Sequence, residues 1–492
     1  MTVELAPTDS ERADTYTADR AHAEPSGSIC KCGLRCLTAG SSLGLPLHSR
    51  AKSPKFDRHF SGIPRNSQKA RFHLLLVPSP CMALRTERSI SALSALSELA
   101  DTRAAAREVV GKLQAASPLR PDMLFVFASF HHRALLRDSL DFLRRELHPA
   151  HLLATTVESV VSGTREVEHT PGLSVLALSA PGIVARPFWF DLEDGPPAVW
   201  SEGFIRQRIT LPPDEGAGGG ALAHRGTILF ADPHSIHPGE ACAAIDDAAG
   251  PEGARIFGGV ASGASHAGLN VLAVDRHLSH GGLVGLSIFG DIDIAGLVSQ
   301  GSRPIGGDFV VTAARGNDML ALNGHRAIDT VREMVEALSE SDRACIGQGL
   351  LVGLALDCTK QRRGRGDYLV RPVLAVDAAT GSITLGDRVH PGQTVCFHIR
   401  DQQTAEDDLA MMLDREQLRD PAKAALLFTC NVRGTRFFAA PDHDASMVSR
   451  RLHAPALAGF QCAGEIGPQG KRSYVHTQTA SVVLFRNARP GL

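Results

Sequence analysis

The chain has 492 residues, of which 43% are apolar and 21% charged, a globular balance with room for about two to four domains. A formal net charge of −2 and an aromatic content of 5% argue against nucleic acid or an anionic membrane as a partner. No apolar run is long enough to cross a membrane, the N-terminus has no apolar signal core, and the ten cysteines form no regular framework. These features predict a cytoplasmic protein.

The first 81 residues differ in composition from the rest of the chain. They are rich in Ser, Pro, Arg, Lys and His and show no sustained helical or strand period, which predicts a disordered leader. Two interpretations stay open: Met82 is the natural start and the leader is translated by accident, or the leader is a genuine extension. The segment at 82–114 is rich in helix-forming residues.

Alternating strands and helices begin at Met123. The apolar run at 123–130 is typical of a buried strand. The helix after it places four leucines on one face, at positions 136, 140, 143 and 147. Further elements complete an α/β unit that ends near residue 263: strands at 174–180, 226–232 and 255–262, and a small-residue helix at 239–250.

In a second unit, strands outnumber helices. Two hairpins are predicted, one turning at Gly316-Asn317 and the other at 379–381. The other elements are strand-length runs within 283–298, strands at 350–357 and 394–401, helices at 325–340 and 405–418, and C-terminal strands from 425. The predicted fold class is α/β with an α+β tendency: two α/β units with mixed, largely antiparallel sheets flanked by helices. No fixed-period sequence repeat is visible.

Glycines of the C-terminal region form a GxxGxxG series at Gly464, Gly467 and Gly470. A phosphate-binding loop needs a helix N-terminus after the glycines, but the next segment, YVHTQTASVVLF at 474–485, has a strand pattern. A nucleotide site is therefore not expected, and neither a cofactor nor a metal site is predicted.

Polar residues also interrupt these C-terminal strands. Cys430 could act as a nucleophile, since Arg433 follows it and His476 and Glu465 could complete a Cys–His–acid arrangement; a buried, inert cysteine is the alternative. Glu465 lies between glycines and needs a partner if it is buried, for which Arg433 is the natural candidate. The two residues either lock two strands together or line a ligand pocket.

Several segments match the pattern of a known family. They include FVFASFHH at 125–132, IFGGVASG at 256–263, FTCNVRGTRFF at 428–438 and AGFQCAGEIGP at 458–468, with further matches at 155–168, 282–306 and 319–329. From about residue 90 to 487 the chain resembles FIST-domain proteins. The resemblance implies a FIST N-terminal domain at 82–270 and a FIST C-terminal domain at 271–492, after the leader at 1–81.

The resemblance further implies a sensory, signal-transducing module that binds a small molecule, such as an amino acid or a derivative, and is not an enzyme. No output domain is recognisable, so a separate signalling partner protein is expected. Arg433 would meet a ligand carboxylate and Glu465 an amine. The residues expected to bind the ligand are Arg433, Glu465, Cys430, Asn431, His476 and Thr479. Two alternatives stay open: a cysteine-dependent enzyme that uses Cys430, and a protein-interaction adaptor.

Overall fold

A computed structural model of the protein describes residues 89–488, apart from 118, 210–221, 252, 348 and 365. The predicted leader and the start at Met82 lie outside the described residues. The α-helices in the described part are α1 (Thr102–Ala116), α2 (Leu136–Leu147), α3 (Glu202–Ile209), α4 (Pro238–Ala249), α5 (Ala327–Glu336), α6 (Glu340–Ile346), α7 (Gln402–Glu416) and α8 (His443–Arg451).

The strands fall into three groups along the chain. The first group is β1 (Ser91–Ser97), β2 (Met123–Ser129), β3 (His151–Val157), β4 (Val160–Ser162), β5 (Arg165–Val167) and β6 (Leu173–Ser179). The second is β7 (Ile183–Phe190), β8 (His224–Ala231), β9 (Ile256–Val260), β10 (Leu272–Val274), β11 (His277–Ser279) and β12 (Leu283–Gly290). The third is β13 (Ile292–Ser299), β14 (Arg303–Arg315), β15 (Asp318–Leu322), β16 (His325–Arg326), β17 (Leu351–Ala355), β18 (Tyr368–Asp377), β19 (Ser382–Leu385), β20 (Thr394–Ile399), β21 (Ala424–Cys430), β22 (Ala456–Cys462), β23 (Gly464–Gln469), β24 (Arg472–His476) and β25 (Ala480–Asn487).

Three six-stranded sheets share one topology. Their strand orders are β1-β6-β2-β3-β10-β11, β7-β12-β8-β9-β23-β24 and β13-β25-β21-β22-β4-β5. In each sheet two neighbouring strands are parallel, namely β2 with β3, β8 with β9, and β21 with β22, and the other pairs are antiparallel. We call the chain segments that supply the first four strands of each sheet repeat 1 (91–179), repeat 2 (183–290) and repeat 3 (292–487).

Each repeat gives one hairpin to another repeat's sheet. The hairpin β4–β5 of repeat 1 pairs with β22 of repeat 3, β23–β24 of repeat 3 pairs with β9 of repeat 2, and β10–β11 of repeat 2 pairs with β3 of repeat 1. The exchange is cyclic, because repeat 1 gives its hairpin to repeat 3, repeat 3 to repeat 2, and repeat 2 to repeat 1. One edge of each sheet is therefore formed by a hairpin from another repeat. Residues far apart in sequence therefore meet at the strand ends.

Repeat 3 also contains an antiparallel barrel between β13 and α7. Its strand order is β14-β20-β17-β18-β19-β15-β16, and the sheet closes because β14 pairs with β15 as well as with β20. Buried aliphatic and aromatic side chains fill the interior, among them Val352, Leu385, Val395 and Phe397. The last strand of the barrel, β20, leads directly to the polar cluster described below.

The central core brings phenylalanines of all three repeats together. Phe127 on β2, Phe230 on β8 and Phe428 on β21 have ring centroids 5.6 to 6.3 Å apart, and Phe460 on β22 lies 5.2 Å from Phe127. The strands that carry these rings read as continuous apolar runs because they are buried on both faces. Packing of these large rings fixes where the polar strand ends come to lie.

The predicted α/β fold class is confirmed, and so are most elements predicted from apolar periodicity, including the two hairpins of the barrel. The segment at 82–114 is rich in helix-forming residues, yet Ser91–Ser97 forms strand β1 and pairs antiparallel with β6. Helix propensity is a weak preference that sheet pairing overrides in this segment. The domain division near residue 270 stays a prediction. No described helix is long and apolar enough to span a membrane.

Candidate functional site

The polar residues predicted to matter lie where the parallel strands β21 and β22 end. These strands end opposite each other at Cys430 and Cys462. Beyond β21 the chain forms a short turn at 431–438, and beyond β22 it enters the hairpin β23–β24 through Glu465. Adjacent carboxyl ends of parallel strands commonly form binding crevices, and in this protein they bring the two loops together.

Arg433 is fully buried and makes its ion pair with Asp444. Its Nε lies 2.6 Å from Oδ2 and its Nη2 2.8 Å from Oδ1 of Asp444, a bidentate arrangement. Thr429 Oγ1 also donates to this carboxylate at 2.6 Å. Burial alone would raise the pKa of Asp444, but the charge and hydrogen bonds of Arg433 hold that pKa well below its usual value. The interpretation in which Arg433 pairs directly with Glu465 is wrong, because helix α8 places Asp444 against the guanidinium.

Glu465 is also fully buried, and the hydrogen bonds that it makes with described residues go to one of its two oxygens. Oε2 accepts hydrogen bonds from Thr479 N at 3.1 Å and Thr479 Oγ1 at 2.8 Å, while Oε1 has no hydrogen-bond partner among the described residues. Burial raises the pKa of Glu465 to about 8, against the hydrogen bonds of Thr479 and the positive charge of Arg433. Glu465 is therefore largely protonated at neutral pH.

Arg400 contributes a second guanidinium that the sequence did not single out. It follows β20, is 7% exposed, and its Cζ lies 3.7 Å from the centroid of the Phe437 ring. Its Nε and Nη2 and the Nη1 of Arg433 have no hydrogen-bond partner among the described residues. Burial and the charge of Arg433 lower the pKa of Arg400 to about 10, so it remains a cation at neutral pH. Its electrostatic neighbours include Cys430 and Glu465.

Cys430 lies inside this cluster as a protonated thiol. It is 5% exposed, and its Sγ lies 3.9 Å from Oδ1 of Asn431. Burial and the charge of Glu465 raise the pKa of the thiol to about 12. A nucleophilic cysteine needs a lowered pKa, so the local electrostatics oppose that role.

His476 pairs in register with Glu465 across β23 and β24, but its ring is used elsewhere. Its Nε2 contacts the carbonyl oxygen of Gly467 at 3.1 Å, and burial lowers its pKa to about 4. Within the described part of the chain, no hydrogen bond joins His476 to Cys430. The structure thus brings Cys430, Arg433, Glu465 and Thr479 together but assembles no Cys–His–acid arrangement.

The hairpin β4–β5 of repeat 1 forms a wall of the cluster. Glu166 accepts from the backbone N of Ala445 at 2.8 Å, and burial together with the negative charge of Asp444 raises its pKa to about 8. Glu168 accepts from Thr435 N at 3.0 Å and from Thr435 Oγ1 at 2.6 Å. Sequence reasoning missed both acids, although the stretch at 155–168 matched the family pattern.

The charges in the cluster do not balance. At neutral pH, Arg400 and Arg433 are cations and Asp444 is an anion, whereas Glu166 and Glu465 are largely protonated. One buried positive charge is left without a counter-charge from these groups. Among the described residues, no group of three or more His, Cys, Asp or Glu side chains is placed to hold a metal ion.

The FIST N domain model matches residues 122–325, and the FIST C domain model matches residues 327–468. An uncharacterized protein of Mycobacterium bovis is 34% identical over 395 residues, which is 78% of this chain and 96% of the relative. Another, from Mycobacterium tuberculosis, is 33% identical over the same shares. A solved cyanuric acid hydrolase covers 81% of this chain and 100% of its own at 10% identity and a TM-score of 0.29, which is too low to support any inference.

Proposed function

Because this chain belongs to the FIST family, whose domains are sensory and signal-transduction modules, we propose that it senses a small molecule at the cluster around Arg433 and Glu465. The supporting observation is that Arg433 Nη1 and Glu465 Oε1 are buried with no hydrogen-bond partner among the described residues, on side chains close enough for the charge of Arg433 to act on Glu465. A buried polar atom without a partner costs about 1–3 kcal/mol, and native structures keep few of them. A ligand that pairs with both atoms recovers that free energy.

The ligand class proposed is an amino acid or a derivative. Its carboxylate accepts from Arg433 Nη1, and its ammonium donates to Glu465 Oε1, which ionises when a cation binds beside it. Cys430, Asn431, His476 and Thr479 line the rest of the site in this proposal. FIST domains are regarded as ligand-binding modules rather than enzymes, and the raised pKa of the Cys430 thiol speaks against a cysteine-dependent enzyme.

Signalling in this proposal depends on a separate partner protein in the cytoplasm. The turn at 431–438 is the element that a ligand would move, because it covers the cluster and is tied to repeat 1. Arg436 Nη2 lies 2.8 Å from Oε1 of Glu158, and Thr435 is held by Glu168. A shift of this turn would therefore change the surface formed by repeats 1 and 3.

Thermal unfolding of the full chain with a panel of amino acids and derivatives tests the proposal. A ligand present at about 100 times its Kd adds about 2.7 kcal/mol to the stability of the folded state. We expect one compound class to raise the Tm of the wild type and to raise that of Glu465→Gln much less, because Gln keeps the shape and loses the carboxylate. Failure of every compound to stabilise the wild type, or equal stabilisation of the variant, contradicts the proposal.

A further inference from the structure

Arg400 is unusual among the buried arginines that the structure describes. Three of the four are paired with carboxylates: Arg371 with Asp387 at 2.9 Å, Arg433 with Asp444 at 2.6 Å and Arg486 with Glu416 at 2.7 Å. Among the described residues Arg400 has no ion pair, its Nε and Nη2 have no hydrogen-bond partner, and its guanidinium lies over the face of the Phe437 ring. Burying a charge without a counter-charge costs free energy, so an unpaired Arg400 needs an explanation.

The unpaired donors of Arg400 form one edge of its guanidinium. Nε and Nη2 are the same two atoms with which Arg433 holds Asp444, and such an edge fits the two oxygens of a carboxylate. Arg433 Nη1 offers a third unpaired donor. Arg400 contacts Phe437 in the same turn, 431–438, that carries Arg433, and the Cζ of Arg433 lies 5.0 Å from the centroid of the neighbouring Phe438 ring, so the two guanidinium groups belong to the same cluster.

We propose that Arg400, together with Arg433 Nη1, forms the receptor for a carboxylate of the ligand, and that Phe437 covers this receptor when it is empty. This inference rests on the proposed function and names the chemistry that the site selects. The ligand class is a small monocarboxylate, because the free donors of Arg400 form a single guanidinium edge that fits the two oxygens of one carboxylate, and these donor atoms are almost completely enclosed. A phosphate group carries about −1.5 to −2 charges and three acceptor oxygens, so it fits this single edge less well.

Phe437 explains how Arg400 is tolerated without a ligand. The ring face lies 3.7 Å from the guanidinium carbon and partly offsets the lost hydration through a cation–π contact. The backbone oxygen of Phe437 accepts a hydrogen bond from Gln402 Nε2 at the start of α7, which ties the backbone of the turn to that helix. Entry of a carboxylate requires this turn to shift, so filling the receptor changes the position of the turn at 431–438.

The first experiment compares matched variants without any ligand. Arg400→Met and Arg433→Met each remove a buried guanidinium and keep an apolar stem. We expect Arg400→Met to unfold at or above the Tm of the wild type, because it removes an uncompensated charge, and Arg433→Met to unfold well below it, because Asp444 loses its partner. A large fall in the Tm of Arg400→Met would assign Arg400 a structural role and overturn the proposal.

The second experiment uses sodium acetate, glycine and glycinamide as probes, with sodium chloride as the ionic-strength control. Acetate and glycine should raise the Tm of the wild type and glycinamide should not, and Arg400→Met should bind glycine at least about tenfold more weakly. Equal stabilisation of wild type and Arg400→Met by glycine refutes the receptor and leaves the proposed function standing. Loss of binding in Arg400→Met but not in Glu465→Gln supports the receptor and contradicts the amine contact of the proposed function. No shift with either carboxylate, even at high concentration, overturns the receptor.

Discussion

Breaking the buried ion pair between Arg433 and Asp444 is expected to destabilise the folded protein strongly. Both side chains are 0% exposed, so Arg433→Met leaves a carboxylate in the interior with only its bonds from Thr429 and His443. Removing one partner of such a pair costs about 3–5 kcal/mol, because the charge that stays behind is uncompensated. In Arg433→Met the guanidinium that lowers the pKa of Asp444 is gone and burial raises that pKa, so protonation of Asp444 relieves part of this cost as the pH falls.

The assay is equilibrium urea unfolding of the full chain at pH 7, followed by circular dichroism. The matched control is Arg436→Met, since Arg436 pairs with Glu158 at 2.8 Å but its side chain is 46% exposed. Exposed pairs contribute about 0–1 kcal/mol, so the control should unfold close to the wild type. The double variant Arg433→Met/Asp444→Leu should recover much of the loss, because it leaves neither charge unpaired. A loss in Arg433→Met no larger than that in Arg436→Met would refute the reasoning about the buried pair.

Three other predictions concern the same region. The pKa of Glu465 is about 8 in the folded protein and about 4.5 in the unfolded chain. Protonated Glu465 therefore stabilises the folded state by on the order of 4–5 kcal/mol below pH 4.5. This stabilisation is lost as the pH rises through 8. Urea unfolding from pH 5 to pH 8.5 should show the stability of the wild type falling relative to Glu465→Gln, and a constant difference would contradict this. Iodoacetamide should alkylate buried Cys430 far more slowly than exposed Cys358, as mass spectrometry of the peptides can show; equal rates would mean an accessible Cys430. Gly434→Ala should lower the Tm more than Gly470→Ala. Both glycines have positive φ, but only at Gly434 would the new Cβ meet side-chain atoms, at 2.6 Å. Equal losses of Tm in the two variants would mean that backbone strain accounts for the whole effect.

The C-terminal part of the site was predictable from sequence because polar residues interrupt or follow apolar strands there. Cys430 ends β21, and Glu465 is the second residue of β23, in the hairpin after β22. Asp444 was missed because it lies in a short helix of mostly polar residues, whose sequence gave no sign that its first turn faces Arg433. Arg400 was visible at the end of a predicted strand, but nothing local connects that strand to β21. These contacts depend on tertiary packing.

Prediction of the fold from sequence was limited in the same way, because the strand pairing also depends on tertiary packing. Strands such as β2 and β21 were predictable because a strand that is buried on both faces has an uninterrupted run of apolar residues in its sequence. The order of strands in the sheets depends on the exchanged hairpins, and β4 and β5 have three residues each, too few to show a period. The threefold topology also left no fixed sequence period, because repeat 3 contains the whole barrel as an insertion.

The cyclic exchange of hairpins has a consequence for how the chain matures. Glu166 meets Gln461 across 295 residues, so the hairpin of repeat 1 has no partner until nearly the whole chain has been synthesised. Until then the hairpin β4–β5 presents an open edge, and β3 presents one until β10 of repeat 2 has been made; such edges are prone to pair with other chains. Such long-range pairing also slows folding. We therefore expect fragments that end between the repeats to aggregate, and the complete chain to unfold in one cooperative step.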